Sequence, residues 1–285
     1  MEEPAAQFPP NHLLAPNALR VTGFPPNHLL APKVLVLCGL GMNCEEETYA
    51  AYKLCGTRPR LVHVNEWFAG KVSLDDFQLV HFTGGFSFGD HLGAGKVLAN
   101  RIRFKPTATG KPLIHELEEF LASGGFVFGV CNGFQTLTAL GLLPGIEDGQ
   151  SVSLAPNIDG NFQDRWVSCQ IDPESPLSYL GAGETLSLPI RHGEGRLVVK
   201  NDAVETLMVS KKLMGIRYLH NPNGSAFNCA GLCNETGRVV GMMPHPEAFL
   251  SPFNHPEWSR KGSEAPRADG LFLLQNLVNY VSHNR

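Results

Sequence analysis

No apolar run in this chain approaches the ~18 residues that a membrane span needs. The opening Met1-Glu2-Glu3-Pro4 is acidic where a secretory signal needs basic residues, and prolines interrupt the next thirty residues. An excess of one charge is missing too: 23 basic and 27 acidic residues leave a net charge of -4. That balance argues against a nucleic-acid surface spread over the whole chain. Cysteines at 38, 44, 55, 131, 169, 229 and 233 form an odd, scattered set of seven. Such a set predicts free thiols in a reducing cytoplasm rather than a disulfide framework. Cys229 and Cys233 have no second pair at zinc-site spacing, so structural zinc is not expected. Nucleotide motifs also fail. Gly39-Leu40-Gly41 meets Cys44 where a dinucleotide fingerprint wants glycine, and Gly95-Lys96 is followed by Val97, not Ser or Thr. No ATP site is expected in this chain.

What is present is an ordinary globular composition, 43% hydrophobic and 18% charged over 285 residues, able to offset ordering entropy by burial. Thirty glycines and 21 prolines predict many loops and tight turns. The segment Phe8-Pro9-Pro10-Asn11-His12-Leu13-Leu14-Ala15-Pro16 recurs unchanged from Phe24 to Pro32. Two copies are too few for a stacked repeat fold. Residues 1–32 are therefore expected to be a loose N-terminal arm, and residues 33–285 a single domain.

Val34-Leu35-Val36-Leu37-Cys38 reads as a buried parallel strand. Asn43 is placed to cap a following helix whose first turn holds Glu45, Glu46 and Glu47. Strands are expected over 60–64, 78–83 and 126–130, and helices over 113–123 and 132–140. Strands and helices alternating at these lengths imply a parallel sheet covered on both faces. The second half predicts further strands over 166–171, 185–190, 215–219 and 238–243, then a buried helix over 271–281 capped by Asp269. The expectation is one α/β domain with extra strands in its second half.

Gly129-Val130-Cys131-Asn132-Gly133 carries the most chemistry. A buried strand runs straight into a helix, with a nucleophile-type residue at the corner between two glycines, as in a nucleophile elbow. The helix N-terminus there favours an anion. Cys38, Cys44, Cys55 and Cys169 sit in apolar patterns and read as core thiols. A cysteine nucleophile needs a base, and the base needs an orienter. Strand Val239-Val240-Gly241-Met242-Met243 ends in Pro244-His245-Pro246-Glu247, and strand ends are where open α/β sheets build their sites. Extended backbone puts residues 245 and 247 on one side, so Glu247 can hold the His245 imidazole. His255-Pro256-Glu257 repeats the tripeptide but comes after no strand, so His255 reads as a loop histidine. Donors for a developing oxyanion would come from the Asn132 N–H and from Thr83-Gly84-Gly85-Phe86-Ser87-Phe88-Gly89-Asp90.

These segments, with His192-Gly193-Glu194-Gly195-Arg196 and Asn221-Pro222-Asn223-Gly224-Ser225, resemble those of class I glutamine amidotransferases. Within that class they are similar to the glutaminase subunits of phosphoribosylformylglycinamidine synthase, over Lys33 to the C-terminus. The resemblance implies a three-layer, flavodoxin-like fold with a mostly parallel central sheet. It implies Cys131 as nucleophile, His245 as base and Glu247 as orienter. It places Gly85 and Asn132 at the oxyanion hole and Phe86, Gln135 and His192 around substrate glutamine. It further implies no metal or cofactor in this chain, since ATP and magnesium would belong to a synthetase partner. That partner would take the ammonia into purine biosynthesis, with or without a small third subunit. Service to another acceptor, hydrolysis on the same fold, and a non-catalytic binding subunit are the alternatives.

Overall fold

The computed structural model describes residues 31–107, 110–261 and 267–284. The arm expected over residues 1–32 lies outside them except for its last two residues. Strand β1 (Lys33–Cys38) is buried along Val34, Leu35, Val36 and Leu37. Helix α1 (Glu45–Leu54) carries three glutamates in its positive first turn. Asn43 does not cap it: Cys44 holds the N-cap position, and the Asn43 Oδ1 accepts from the Cys44 thiol at 3.5 Å. Strand β2 (Arg58–His63) begins and ends earlier than expected. The His63 ring accepts the Asn65 N–H and starts the short helix α2 (Val64–Phe68). Then come β3 (Leu79–Phe82), α3 (Lys96–Phe104), α4 (Leu113–Ala122), β4 (Phe126–Val130) and α5 (Asn132–Ala139).

The second half holds β5 (Val152–Pro156), β6 (Gln163–Ile171), β7 (Thr185–His192), β8 (Glu194–Val199), α6 (Asp202–Ser210) and β9 (Ile216–Tyr218). It ends with β10 (Cys229–Cys233), β11 (Val239–Met242), α7 (Trp258–Lys261) and α8 (Asp269–His283). Asp269 opens α8 but does not cap it. Ala268 is the N-cap, and the Asp269 carboxylate instead accepts the Ser187 N–H of β7 at 2.7 Å and the Arg267 guanidinium at 2.7 Å.

Nine strands form one sheet in the order β2-β1-β3-β4-β11-β10-β9-β6-β7, and β5 pairs with β8 in a second. The first five run parallel, and pairing turns antiparallel from β11 onward. Adjacent residues of β3 show the layering. His81 meets the Tyr52 hydroxyl of α1 at 2.8 Å, while Phe82 faces Gly133 of α5, so α1 and α5 cover opposite faces. The chain leaves β1 in one direction to β2 and later occupies its other side with β3, which makes the β1/β3 boundary a topological switch point. Ligand crevices of open α/β sheets form at the carboxyl ends of strands beside such a point.

Candidate active site

Four strand ends converge there: β1 feeds residues 39–44, β3 feeds residues 83–89, β4 runs into Cys131 and β11 leads to His245. Cys131 takes φ 51° and ψ -104°, a backbone region costly to a residue with a Cβ. The flanking glycines permit it. A Cβ on Gly133 would lie 2.0 Å from the Phe82 carbonyl oxygen, and one on Gly129 would lie 2.7 Å from the Gly133 carbonyl carbon. Without side chains at these two points, β3, β4 and α5 nest closely and the Cys131 thiol is left standing above the sheet. It donates towards the Arg191 carbonyl at 3.6 Å.

His245 and Glu247 are both buried, and their Nδ1 and Oε1 atoms lie 2.6 Å apart. Burial works to lower the His245 pKa, but Glu247, Cys131 and Cys44 together hold it well above the ordinary histidine value. Burial works to raise the Glu247 pKa, and the imidazole beside it brings it below the usual carboxylate value. Both shifts favour the charged pair, with the His245 Nδ1–H directed at Glu247. The His245 backbone is fixed as well, its N–H donating to the Pro189 carbonyl of β7 at 2.9 Å.

The loop after β3 is held from two sides. Phe86 N–H donates to the Gly41 carbonyl at 2.6 Å, Phe88 N–H to Leu40 at 2.8 Å and Ser87 N–H to the Asn132 side chain at 3.1 Å. Gly85 sits at φ 130° against the β1 loop, where a Cβ would lie 2.7 Å from the Gly41 carbonyl oxygen. Asn132 is the first residue of α5, so its backbone N–H has no partner within the helix. Its amide also donates to Gln135 Oε1 at 3.1 Å, joining nucleophile, loop and helix.

Two adjoining cavities open beside Cys131. One, of about 150 Å3, is bordered by Gly85, Phe86, Cys131, Gln135 and His192; the other, of about 200 Å3, by Gly85, Phe86, Cys131, Cys44 and His245. All eight residues singled out from the sequence thus meet, with Asn132 next to Cys131 and Glu247 behind His245. His192 is neutral, since burial and the nearby His245 lower its pKa to about 4. Asn157 uses its amide hydrogens on the His192 and Asn161 carbonyls, so its Oδ1 accepts from His192 Nδ1 at 3.1 Å. That leaves His192 Nε2 as a buried acceptor with no partner among the described residues. His255 lies apart, packed on Trp166 and Phe249 with ring centroids 4.6 Å and 5.7 Å away. It is a loop residue as expected, although a buried one.

Sequence reasoning passed over Asp90, Phe162, Arg191 and Glu194 on the first cavity wall and Cys44 on the second. Asp90 and Glu194 stand inside the Gly-Gly-Phe-Ser-Phe-Gly-Asp and His-Gly-Glu-Gly-Arg segments, and Arg191 adjoins the latter. Phe162 gives no local signal, because it reaches the cavity through the pairing of β6 with β7, which sets Gln163 opposite His192.

A family model described as a CobB/CobQ-like glutamine amidotransferase domain matches residues 31–281. The chain is 38% identical over 248 residues to phosphoribosylformylglycinamidine synthase subunit PurQ of Dehalococcoides mccartyi, covering 85% of this chain and 94% of that one. It is 36% identical over 271 residues to the subunit of that name from Methanococcus maripaludis, covering 87% and 97%. Among solved structures, a chain of PurLQS from Thermotoga maritima aligns with TM-score 0.67 and 30% identity, over 88% of this chain and 99% of that one. A glutamine amidotransferase from the same organism aligns with TM-score 0.52 at 14% identity, over 88% and 98%, which is a likeness of fold. The elbow, the strand-end histidine and the glycine loop thus sit in a chain that belongs to the glutamine amidotransferases, and among them to the PurQ family of phosphoribosylformylglycinamidine synthase subunits.

Proposed function

We propose that this chain is the glutaminase half of a phosphoribosylformylglycinamidine synthase, with Cys131 as nucleophile, His245 as base and acid, and Glu247 as orienter. The observation that carries the assignment is the meeting of a positive-φ cysteine and a buried His–Glu pair at one pair of cavities. The Cys131 thiolate attacks the glutamine carboxamide carbon, and the carbonyl oxygen takes up negative charge between the Gly85 and Asn132 N–H groups. The C–N bond breaks as His245 gives its proton to the leaving nitrogen, and ammonia departs from a γ-glutamyl thioester. His245 then takes a proton from water as the water oxygen attacks the thioester carbon; the C–S bond breaks, glutamate leaves, and the thiolate beside the protonated imidazole is restored.

Glutamine fits the polar character of the first cavity. Asp90 and Glu194 suit the substrate ammonium, Arg191 suits its carboxylate, and Phe86 flanks the methylene chain. Gln135 and the His192 Nε2 acceptor complete the wall. The ammonia goes to an ATP-dependent synthetase subunit, and ATP and magnesium enter with that partner. Service to another acceptor on this fold is the weaker reading, because the relatives that match over most of both chains carry the PurQ name. Glutamine hydrolysis by the chain alone and with its candidate synthetase, ATP and formylglycinamide ribonucleotide tests the assignment. The expected result is glutamate formed in step with amidine. Amidine made only from added ammonia would refute it.

A further inference from the structure

The proposed reaction gives Cys44 no part, although its buried thiol borders the same cavity as His245. Its Sγ lies 3.9 Å from His245 Nδ1, which lies 2.6 Å from Glu247 Oε1. One donor atom from each of these three residues falls within 4.8 Å of the other two. We propose that Cys44, His245 and Glu247 form a binding site for a thiophilic divalent cation such as Zn2+, and that an ion held there switches off glutamine hydrolysis. The switching-off rests on the proposed catalytic role of His245; the binding does not.

Thiolate, imidazole and carboxylate together are the donor set that a borderline-soft ion prefers. With Zn–S near ~2.3 Å and Zn–N and Zn–O near ~2.0–2.2 Å, a tetrahedral centre holds its donors ~3.3–3.7 Å apart. The separations here fall on either side of that range, so side-chain shifts of about an ångström close the site. Spare ligand capacity is already present. Glu247 Oε2 is buried with no hydrogen-bond partner among the described residues. The cavity of about 200 Å3 lined by Cys44 and His245 gives the ion a way in and leaves room for a water as fourth ligand. Binding releases the Cys44 thiol proton and the His245 Nδ1 proton to solvent. The imidazole then faces the ion instead of Glu247, and it can no longer pass protons to and from Cys131.

Cobalt(II) titration of the full-length chain, followed by absorbance and by competition with Zn2+, reads the site directly. One equivalent should give tetrahedral d–d bands and a thiolate charge-transfer band. Glutamine turnover by the complex should fall with the same midpoint and return on chelation. Cys44→Ser and Cys44→Ala should each weaken binding by more than the ~100-fold that loss of a mere outer-shell partner costs. Cys131→Ala should leave the bands in place. Bands that survive both Cys44 variants, or that vanish in Cys131→Ala, would overturn the site. Full bands with unchanged glutamine turnover would uphold the site and overturn His245 as the base.

Discussion

His245 and His255 stand in identical His-Pro-Glu tripeptides, and the structure gives them opposite surroundings. The first is pinned between Glu247 and β7, while the second fills an aromatic niche. His245→Ala should therefore cut thioester formation on the order of a thousandfold or more, since it breaks a cooperating unit. His255→Ala should cost stability, about 1–3 kcal/mol for emptying a buried niche, with thioester formation in the folded fraction unchanged. Trapping with a glutamine-like electrophile beside a urea melt separates the two, and the reverse ranking would refute the assignment. Cys131→Ala gives the complementary result. Glutamine-dependent synthesis should vanish while synthesis from added ammonia persists, because ammonia reaches the synthetase from solution.

Among the elements, the elbow depends on two backbones touching. Gly133→Ala places a methyl 2.0 Å from the Phe82 carbonyl oxygen, so α5 must lift from β3. The expected cost is about 1–3 kcal/mol in a urea melt, with a larger proportional loss of thioester trapping, because Cys131 and Asn132 move with the helix. Elements of this kind were legible in the sequence. β1, β3, β4 and β11 are short, mainly apolar runs buried almost throughout, and a doubly covered sheet demands such runs. The β5–β8 pair, α3 and α6 were not anticipated. Lys96–Phe104 carries three basic residues that mask its apolar stripe of Leu98, Ala99 and Ile102. β10 is hard to read because its two cysteines, four apart, resemble metal-ligand spacing; it is five buried residues between β9 and β11. The proposed triad was readable because Cys131 directly follows one recognisable strand, β4, and His245 and Glu247 follow closely on another, β11. Cys44 and Phe162 were not, because their roles arise from loops meeting across the sheet.

At the scale of the whole molecule, buried histidines set the pH profile of stability. Burial lowers the His81 and His192 pKa values to about 4 from the ordinary 6.5. The unfolded chain thus binds more protons than the folded one between these values, and stability is lost as pH falls through them. Each contributes a slope of about 1.4 kcal/mol per pH unit in that window. His245 works the other way. Its folded pKa is raised, so its contribution is complete below 6.5 and is lost as pH climbs through the folded value. Glu247 adds a loss on the acid side, its folded pKa being lowered. These groups place the stability maximum near the ordinary histidine value. Melting temperature against pH should show this maximum, and His81→Gln should flatten the acid limb by roughly one proton's slope. An unchanged limb would contradict the burial argument.

The position of β11 in the sheet bears on how the protein is made. It pairs with β4 on one side and β10 on the other, yet it is the last strand among the described residues. Until residues 239–242 leave the ribosome, β4 and β10 have no shared neighbour and the centre of the sheet is a gap with two apolar edges. The growing chain is thus exposed to aggregation until β11 emerges, which is when a chaperone would find it. The segment that fills the gap also brings in His245, three residues past the strand. Closure of the core and arrival of the proposed base are one event.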